Sequence, residues 1–263
     1  LGARSIKHPV ALAQDYRLNL IVCAQFDTLV GGQSQTFSAV YKFDLVASSH
    51  QLNTAPVKKL LPRTADLNRP LVEYTGTCAF YNNVFYIARK GPNNTSFVDP
   101  DNSILIFSPK KLLGIPSNED TLIGRVPNID PLGQGVVSAY NISSLTSFND
   151  QTIDMIVTLT GENSFKSQWF EYVITPVDQR YLSNFSPNSV SFMIPNKFQR
   201  PEGSAVDRSL NIFIADAGRD SIYKFNSFGD ELQSFGTFGS DSFNEPHGVA
   251  FFDKTLYVAD TGN

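Results

Sequence analysis

Hydrophobic residues recur along the chain in short runs, each closed by Gly, Pro, Asn, Asp or Ser. The runs Leu18-Asn-Leu-Ile-Val-Cys-Ala24, Val84-Phe-Tyr-Ile-Ala88, Ser103-Ile-Leu-Ile-Phe107 and Ile212-Phe-Ile-Ala215 are rich in β-branched and aromatic residues and too short for helices, so they predict strands. Alternating runs precede two of them: Gly76-Thr-Cys-Ala-Phe80 stands before the turn Asn82-Asn83, and Gly203-Ser-Ala-Val206 before a polar turn at Asp207. Each such pair predicts an antiparallel hairpin. Further strands are predicted at Ser38 to Asp44, Val136 to Ile142, Ile153 to Leu159 and Trp169 to Thr175.

The hairpins repeat. Phe198-Gln-Arg-Pro201-Glu-Gly203 to Ala215-Asp216-Ala-Gly218 realigns with Phe243-Asn-Glu-Pro246-His-Gly248 to Ala259-Asp260-Thr-Gly262, with 45 residues between the prolines. Pro9 and Ala24 repeat the scheme at a spacing of 15, against 14 from Pro201 to Ala215 and 13 from Pro246 to Ala259. A third strand, Ser38-Ala-Val-Tyr-Lys-Phe-Asp44, matches Ser221-Ile-Tyr-Lys-Phe225.

These Pro-x-Gly and Ala-Asp-x-Gly signatures resemble the NHL repeat, most specifically over residues 198–263 and more weakly over 9–108. The resemblance implies an all-β fold: a single β-propeller domain over residues 1–263, built of four-stranded antiparallel blades. Five blades are visible, starting near Pro9, Gly76, Val136, Pro201 and Pro246, the last incomplete; the intact protein would have five or six. The pattern also calls for a third strand after Asn263. Either residues 3–7, Ala-Arg-Ser-Ile-Lys, pair with the edge at Leu256 to Ala259, or a longer natural chain covers it.

Composition narrows the function. A net charge of -4 and 17% charged residues argue against a nucleic-acid partner, which calls for a basic face. Unbroken apolar stretches such as Leu20 to Ala24 are far short of the ~20 residues that span a bilayer as a helix. Gly-x-Ser-x-Gly, phosphate-loop, Cys-x-x-Cys and EF-hand spacings are all missing, and Asp99-Pro-Asp101 reads as an ordinary turn.

In a four-stranded meander, the entry to the first strand and the exit of the second lie at one end, which also collects the insertions Gln25 to Thr36, Arg89 to Asn102 and Thr160 to Gln168. The candidate ligand-binding residues there are Gln25, Asp27, Arg89, Glu202, Asp216, His247 and Asp260, with His8 nearby. Asp216 and Asp260 have an alternative role as acceptors of backbone N–H groups in their own turns. Glu202 and His247 each follow the repeat proline and are expected to point to the channel.

The main expectation is a non-catalytic binding or scaffold module that presents its loop-rich face to a protein, peptide or glycan partner, with Phe37, Phe97, Phe165 and Trp169 as candidate anchors and no cofactor. The alternative, implied by NHL-like and related propellers, is a metal-dependent lyase or lactonase-type hydrolase at the channel mouth. A zinc site would have to draw on His8, His50 and His247, and a divalent-cation site on Glu202, His247 and Asp260. The sequons at Asn93, Asn94, Asn141 and Asn184 point to a secreted, periplasmic or cell-surface glycoprotein. Cys23 and Cys78 fall on neighbouring blades, either paired or as two buried thiols.

Overall fold

The computed structural model describes residues 7–44, 58–61, 72–79, 84–91, 103–109, 120–127, 140–149, 154–161, 168–173, 190–193, 197–236 and 242–263. The chain forms two compact units, residues 1–128 with 176–185, and residues 129–175 with 186–263. The first unit holds two four-stranded antiparallel sheets. One is β1 (Lys7–Gln14), β2 (Asn19–Val30), β3 (Gln33–Asp44) and β4 (Lys58–Leu61); the other is β5 (Glu73–Ala79), β6 (Phe85–Lys90), β7 (Ser103–Pro109) and β8 (Asp120–Pro127). The second unit holds β9 (Tyr140–Asn149), β10 (Asp154–Gly161), β11 (Gln168–Val173) and β12 (Val190–Met193) in one sheet. Its other sheets are β13 (Pro201–Val206), β14 (Ile212–Asp216), β15 (Ser221–Phe225) and β16 (Glu231–Phe235), and the hairpin of β17 (Pro246–Phe252) and β18 (Thr255–Asp260). Strands within each sheet neighbour one another in chain order and pair antiparallel.

In two of the sheets the turn between the first two strands, after β1 and after β13, is written in the sequence as Asp-x-x-Leu-Asn. Asp15 Oδ1 accepts the N–H groups of Arg17 and Asn19, each at 2.9 Å, and Asn19 Nδ2 donates to Oδ2 at 2.8 Å. Asp207 repeats this with Ser209 and Asn211, each at 2.8 Å. Leu18 and Leu210 both sit at φ 61°, a left-handed conformation that costs a non-glycine residue about 1 kcal/mol and that the Asp–Asn bonds hold in place.

This turn corrects the alignment of the first sheet. Matching the alanines of the two hairpins sets Ala24 against Ala215, but Pro9 pairs with Ala24, whereas Pro201 pairs with Asp216, 15 residues on in both cases. Cys23, across from Val40, is therefore the counterpart of Ala215, across from Ile222. The two hairpins share the same irregularity after the proline, between Pro9 and Ala11 and between Pro201 and Gly203, so no residue is gained or lost between them. A slip of one residue exchanges the two faces of a strand, so the correction decides what is buried against what. Ile21, Cys23 and Val40 pack with Tyr74, Phe85, Ile87, Leu105 and Phe107 of the second sheet. Val22, Ala24, Phe37, Ala39, Tyr41 and Phe43 cluster on the opposite face.

Lys42 pins the two sheets of this unit together. Its ammonium is 3.3 Å from Asp15 and 2.8 Å from Asp120 on β8, and it lies over the Phe85 ring at 5.4 Å from the centroid. Both carboxylates are almost fully buried, at 0% and 4% exposure.

The stretch Gln25 to Thr36, expected as a loop, is instead the far half of the β2–β3 hairpin. It is paired without interruption from Asn19↔Asp44 to Val30↔Gln33 and closed by Gly31 and Gly32 at φ 60° and 84°. Phe26 and Phe37 pack across it with ring centroids 5.9 Å apart and planes tilted by 30°. The strand expected at Val136 to Ile142 begins at Tyr140 and runs to Asn149; residues 136–139 lie outside the described residues, as do His50, Asn82, Asn83, Asn93, Asn94, Phe97, Asp99, Asp101, Phe165 and Asn184.

In the second unit Ile156, Phe198, Ile212, Ile214, Tyr223 and Phe225 form one core layer. Ala205, Phe213, Ala215 and Ile222 form the next, against Val249, Phe251, Leu256 and Val258. Phe213 and Phe251 stack at 5.6 Å between the two sheets.

Cys23 and Cys78 are both buried free thiols. Cys23 Sγ donates to the Gly76 carbonyl at 3.8 Å, and burial pushes its pKa well above the usual thiol range. Folded protein at pH 8 is therefore expected to leave both thiols unreacted with a disulfide reagent over minutes and to titrate two on addition of denaturant; rapid reaction of the folded protein would contradict the packing. Lys42→Met strands two buried carboxylates without their cation and is expected to lower stability by about 3 kcal/mol, read as a shift of the urea midpoint.

Candidate functional site

The register brings the candidate residues to one end of each sheet. Pro201 pairs with Asp216 and Pro246 with Asp260, so Glu202 and His247 enter their first strands where the aspartates leave the second. In the first unit the corresponding end holds Gln25, paired with Lys7 and Ser38, and Arg89, paired with Tyr74 and Ser103.

Asp216 is completely buried and its carboxylate is engaged on both oxygens. Oδ2 accepts the N–H of Gln199 at 2.8 Å, and Oδ1 accepts those of Arg200 at 2.7 Å and Gly218 at 3.2 Å. Asp260 does the same one repeat later, accepting the N–H of Asn244 at 2.8 Å and the Asn263 side-chain amide. Each aspartate thus ties the end of the second strand to the segment leading into the first. Only glycine allows the close approach that follows: a Cβ on Gly218 would meet Gln199 at 2.9 Å, and one on Gly262 would meet Asn244 at 2.5 Å. The Ala-Asp-x-Gly signature is thereby explained as a clamp.

Glu202 is half-buried and lies 3.5 Å from Arg200 Nε, while Arg200 Nη2 reaches Glu245 at 3.0 Å. Arg200 and Glu245 occupy the same repeat position, one before the proline, so this pair joins neighbouring sheets. Glu245 also donates its N–H to Asp220 at 2.9 Å. Opposite charges at matching repeat positions were the signal available for this contact. His247 is half-buried, and its carbonyl lies so close to β13 that a Cβ on Gly203 would meet it at 2.3 Å.

In the first unit, Asp27 is exposed and accepts from Thr36 Oγ1 at 2.8 Å, Gln25 is half-buried and Arg89 is fully buried. Lys90 and Glu73 pair beside Arg89 at 3.6 Å. His8 is exposed. Among the described residues no three His, Cys, Asp or Glu side chains come together as a metal-binding group, and Glu202, His247 and Asp260 do not form one.

No protein-family model and no curated protein matches the chain. Solved structures do. A periplasmic gluconolactonase of Pseudomonas aeruginosa is similar at a TM-score of 0.55 and 11% identity, over 90% of this chain and 60% of that one. A gluconolactonase of Xanthomonas campestris gives 0.51 and 13%, over 91% and 64%. A PQQ-bound aldose sugar dehydrogenase of Streptomyces coelicolor gives 0.53 and 14%, over 98% and 75%. The chain spans less than two thirds of the length of both gluconolactonases. At these identities the likeness is one of fold: an all-β chain of four-stranded antiparallel sheets, of the β-propeller kind.

The clamp gives a test that separates scaffold from rim. Asp216→Asn sets an amide N–H against the buried N–H groups it must receive and is expected to destabilise by about 2 kcal/mol. Glu202→Gln, at the partly solvated rim, is expected to change stability by less than ~1 kcal/mol. Chemical denaturation of the two variants measures both, and equal losses would contradict the clamp.

Proposed function

We propose that this chain belongs to a β-propeller hydrolase acting on sugar lactones. The observation that carries the reading is the likeness, over 90% and 91% of the chain, to gluconolactonases of two different bacteria, with a sugar dehydrogenase sharing the fold. In this reading the four-stranded sheets are four blades of NHL type, β17 and β18 are the inner half of a fifth, and the strand-entry ends form the substrate face. Opening a lactone requires a proton to leave the attacking water and another to reach the departing alkoxide. Glu202 and His247, half-buried at matching strand entries, are the described residues this reading asks to handle those protons.

The divalent cation or zinc implied by the resemblance to metal-dependent propellers does not fit the described residues. Asp216 and Asp260 are engaged in their clamps, and no metal-binding group forms. No step is therefore routed through a metal. Among the described residues no helix is long and apolar enough to cross a membrane, and the Pseudomonas neighbour is named as periplasmic, so an exported location accompanies the proposal.

The engaged aspartates favour a second reading, a non-catalytic module that offers its strand-entry face to a protein, peptide or glycan. One assay separates the two. Acid release from glucono-1,5-lactone, followed at constant pH with and without added divalent cations, is expected to exceed the buffer rate and to fall at least a hundredfold in Glu202→Gln. Release at the buffer rate from every sugar lactone offered would overturn the hydrolase reading and leave the binding module.

A further inference from the structure

The Lys42 bridge leaves one buried oxygen unaccounted for. Lys42 Nζ, on a side chain 11% exposed, meets two carboxylates from different elements, Asp15 in the turn after β1 and Asp120 at the start of β8. One ammonium between two buried carboxylates leaves the group with an excess negative charge, which is costly away from water. Asp15 is supported by its turn, accepting from the N–H groups of Arg17 and Asn19 and from the Asn19 amide. Asp120 has less support. Its Oδ2 accepts from Lys42 Nζ at 2.8 Å, while Oδ1 is buried with no hydrogen-bond partner among the described residues. The surroundings are apolar: the Phe85 ring centroid lies 5.4 Å from Nζ, Phe107 stacks on that ring at 5.2 Å, and Leu122 packs against the same cluster.

Amide formation needs an amine, a carboxyl group in contact with it, a second carboxylate able to move protons, and little competing water. All four meet here. Transfer of one proton from the ammonium to Asp120 removes two buried charges and leaves a neutral amine beside a carboxylic acid. The nitrogen lone pair then forms a bond to Asp120 Cγ. Asp15 Oδ2, 3.3 Å from Nζ, takes a second proton from the nitrogen and returns it to the Asp120 hydroxyl, whose C–O bond breaks. One amide forms and one water leaves, with no oxidant, reductant or other reactant consumed.

We propose that Lys42 and Asp120 condense after folding to an intramolecular isopeptide bond, with Asp15 as the proton carrier. The bond ties β3 of the first sheet to β8 of the second across 78 residues of chain. Closing so long a loop restricts the unfolded chain as a disulfide does, in a protein whose Cys23 and Cys78 are both free thiols. The bond lies in the first unit and takes no part in lactone hydrolysis.

Intact mass of the purified, denatured full chain is the test. The wild-type chain is expected about 18 Da below the mass of its linear sequence, the weight of one water. Trypsin is expected to leave Lys42 uncut and to release a branched peptide joining residues 18–58 to residues 112–125. Lys42→Arg is expected at its full linear mass, and Asp120→Asn, which releases ammonia in place of water, about 17 Da below its own. Asp15→Asn keeps an oxygen for the turn but cannot carry the proton, and is expected to bond at least tenfold more slowly when mass is followed after cell-free synthesis. A wild-type chain at its linear mass and cut after Lys42, or a loss of mass that persists in Lys42→Arg, would overturn the proposal. Bonding of Asp15→Asn at the wild-type rate would overturn the role of Asp15.

Discussion

Covering both faces of every sheet is the constraint on which the rest of this structure depends. A sheet with apolar residues on alternate sides is stable only between two others, and a fully buried Phe, Ile or Val is worth about 1.5–3 kcal/mol relative to exposure. The second unit shows the consequence at repeat-equivalent positions. Phe213 is 4% exposed because the β17–β18 hairpin covers it, while its counterpart Tyr257, on the corresponding face of that hairpin, is 56% exposed. The two residues have the same alternation and similar size, and among the described residues a neighbouring sheet covers Phe213 but not Tyr257.

Register translates this constraint into sequence. In the β13–β14 hairpin the Asp207 turn and the Asp216 clamp hold opposite ends of the two strands, so that hairpin is fixed at both ends by carboxylates receiving backbone N–H groups; β1–β2 has the turn at Asp15, and β17–β18 the clamp at Asp260. Residues with the chemistry of a ligand site thus serve the backbone. What they leave at the rim is Glu202 with Arg200 and Glu245, and the half-buried His247, a polar surface assembled from repeat positions beside the proline.

The first unit adds a buried charge to the same scheme. Lys42 occupies the third-strand position that Lys224 has in the second unit, yet it lies between Asp15 and Asp120, whereas Lys224 lies over the Phe213 ring and lines a cleft. One sequence position thus serves as an inter-sheet bridge in one place and as part of an open surface in another. The difference is what packs against it.

The sequence by itself determined the all-β class, the hairpins, the third strands and the period, because alternation, β-branched runs and turn residues are local signals with a direct steric cause. It gave Asp216 and Asp260 as acceptors of N–H groups in their own turns, which holds for Gly218 on Asp216, but their bonds to Gln199, Arg200 and Asn244, 16 or 17 residues away, come from the tertiary structure. It misplaced Ala24 by one residue, because the first sheet has Ala24 where the repeat has Asp216, and the nearest residue-type match, Ala215, lies one position earlier. It read the β2–β3 extension as a loop, since Asp27, Thr28 and the Gly31-Gly32 pair look like a break until the opposing strand supplies their partners. The fourth strands β4, β8, β12 and β16 were not located individually, as the Pro-x-Gly and Ala-Asp-x-Gly signatures mark only the first two strands of a repeat. The Lys42 bridge to Asp120 and the Arg200–Glu245 pair were decided only by the tertiary structure: each joins residues from different sheets, and no spacing along one strand encodes which faces will meet.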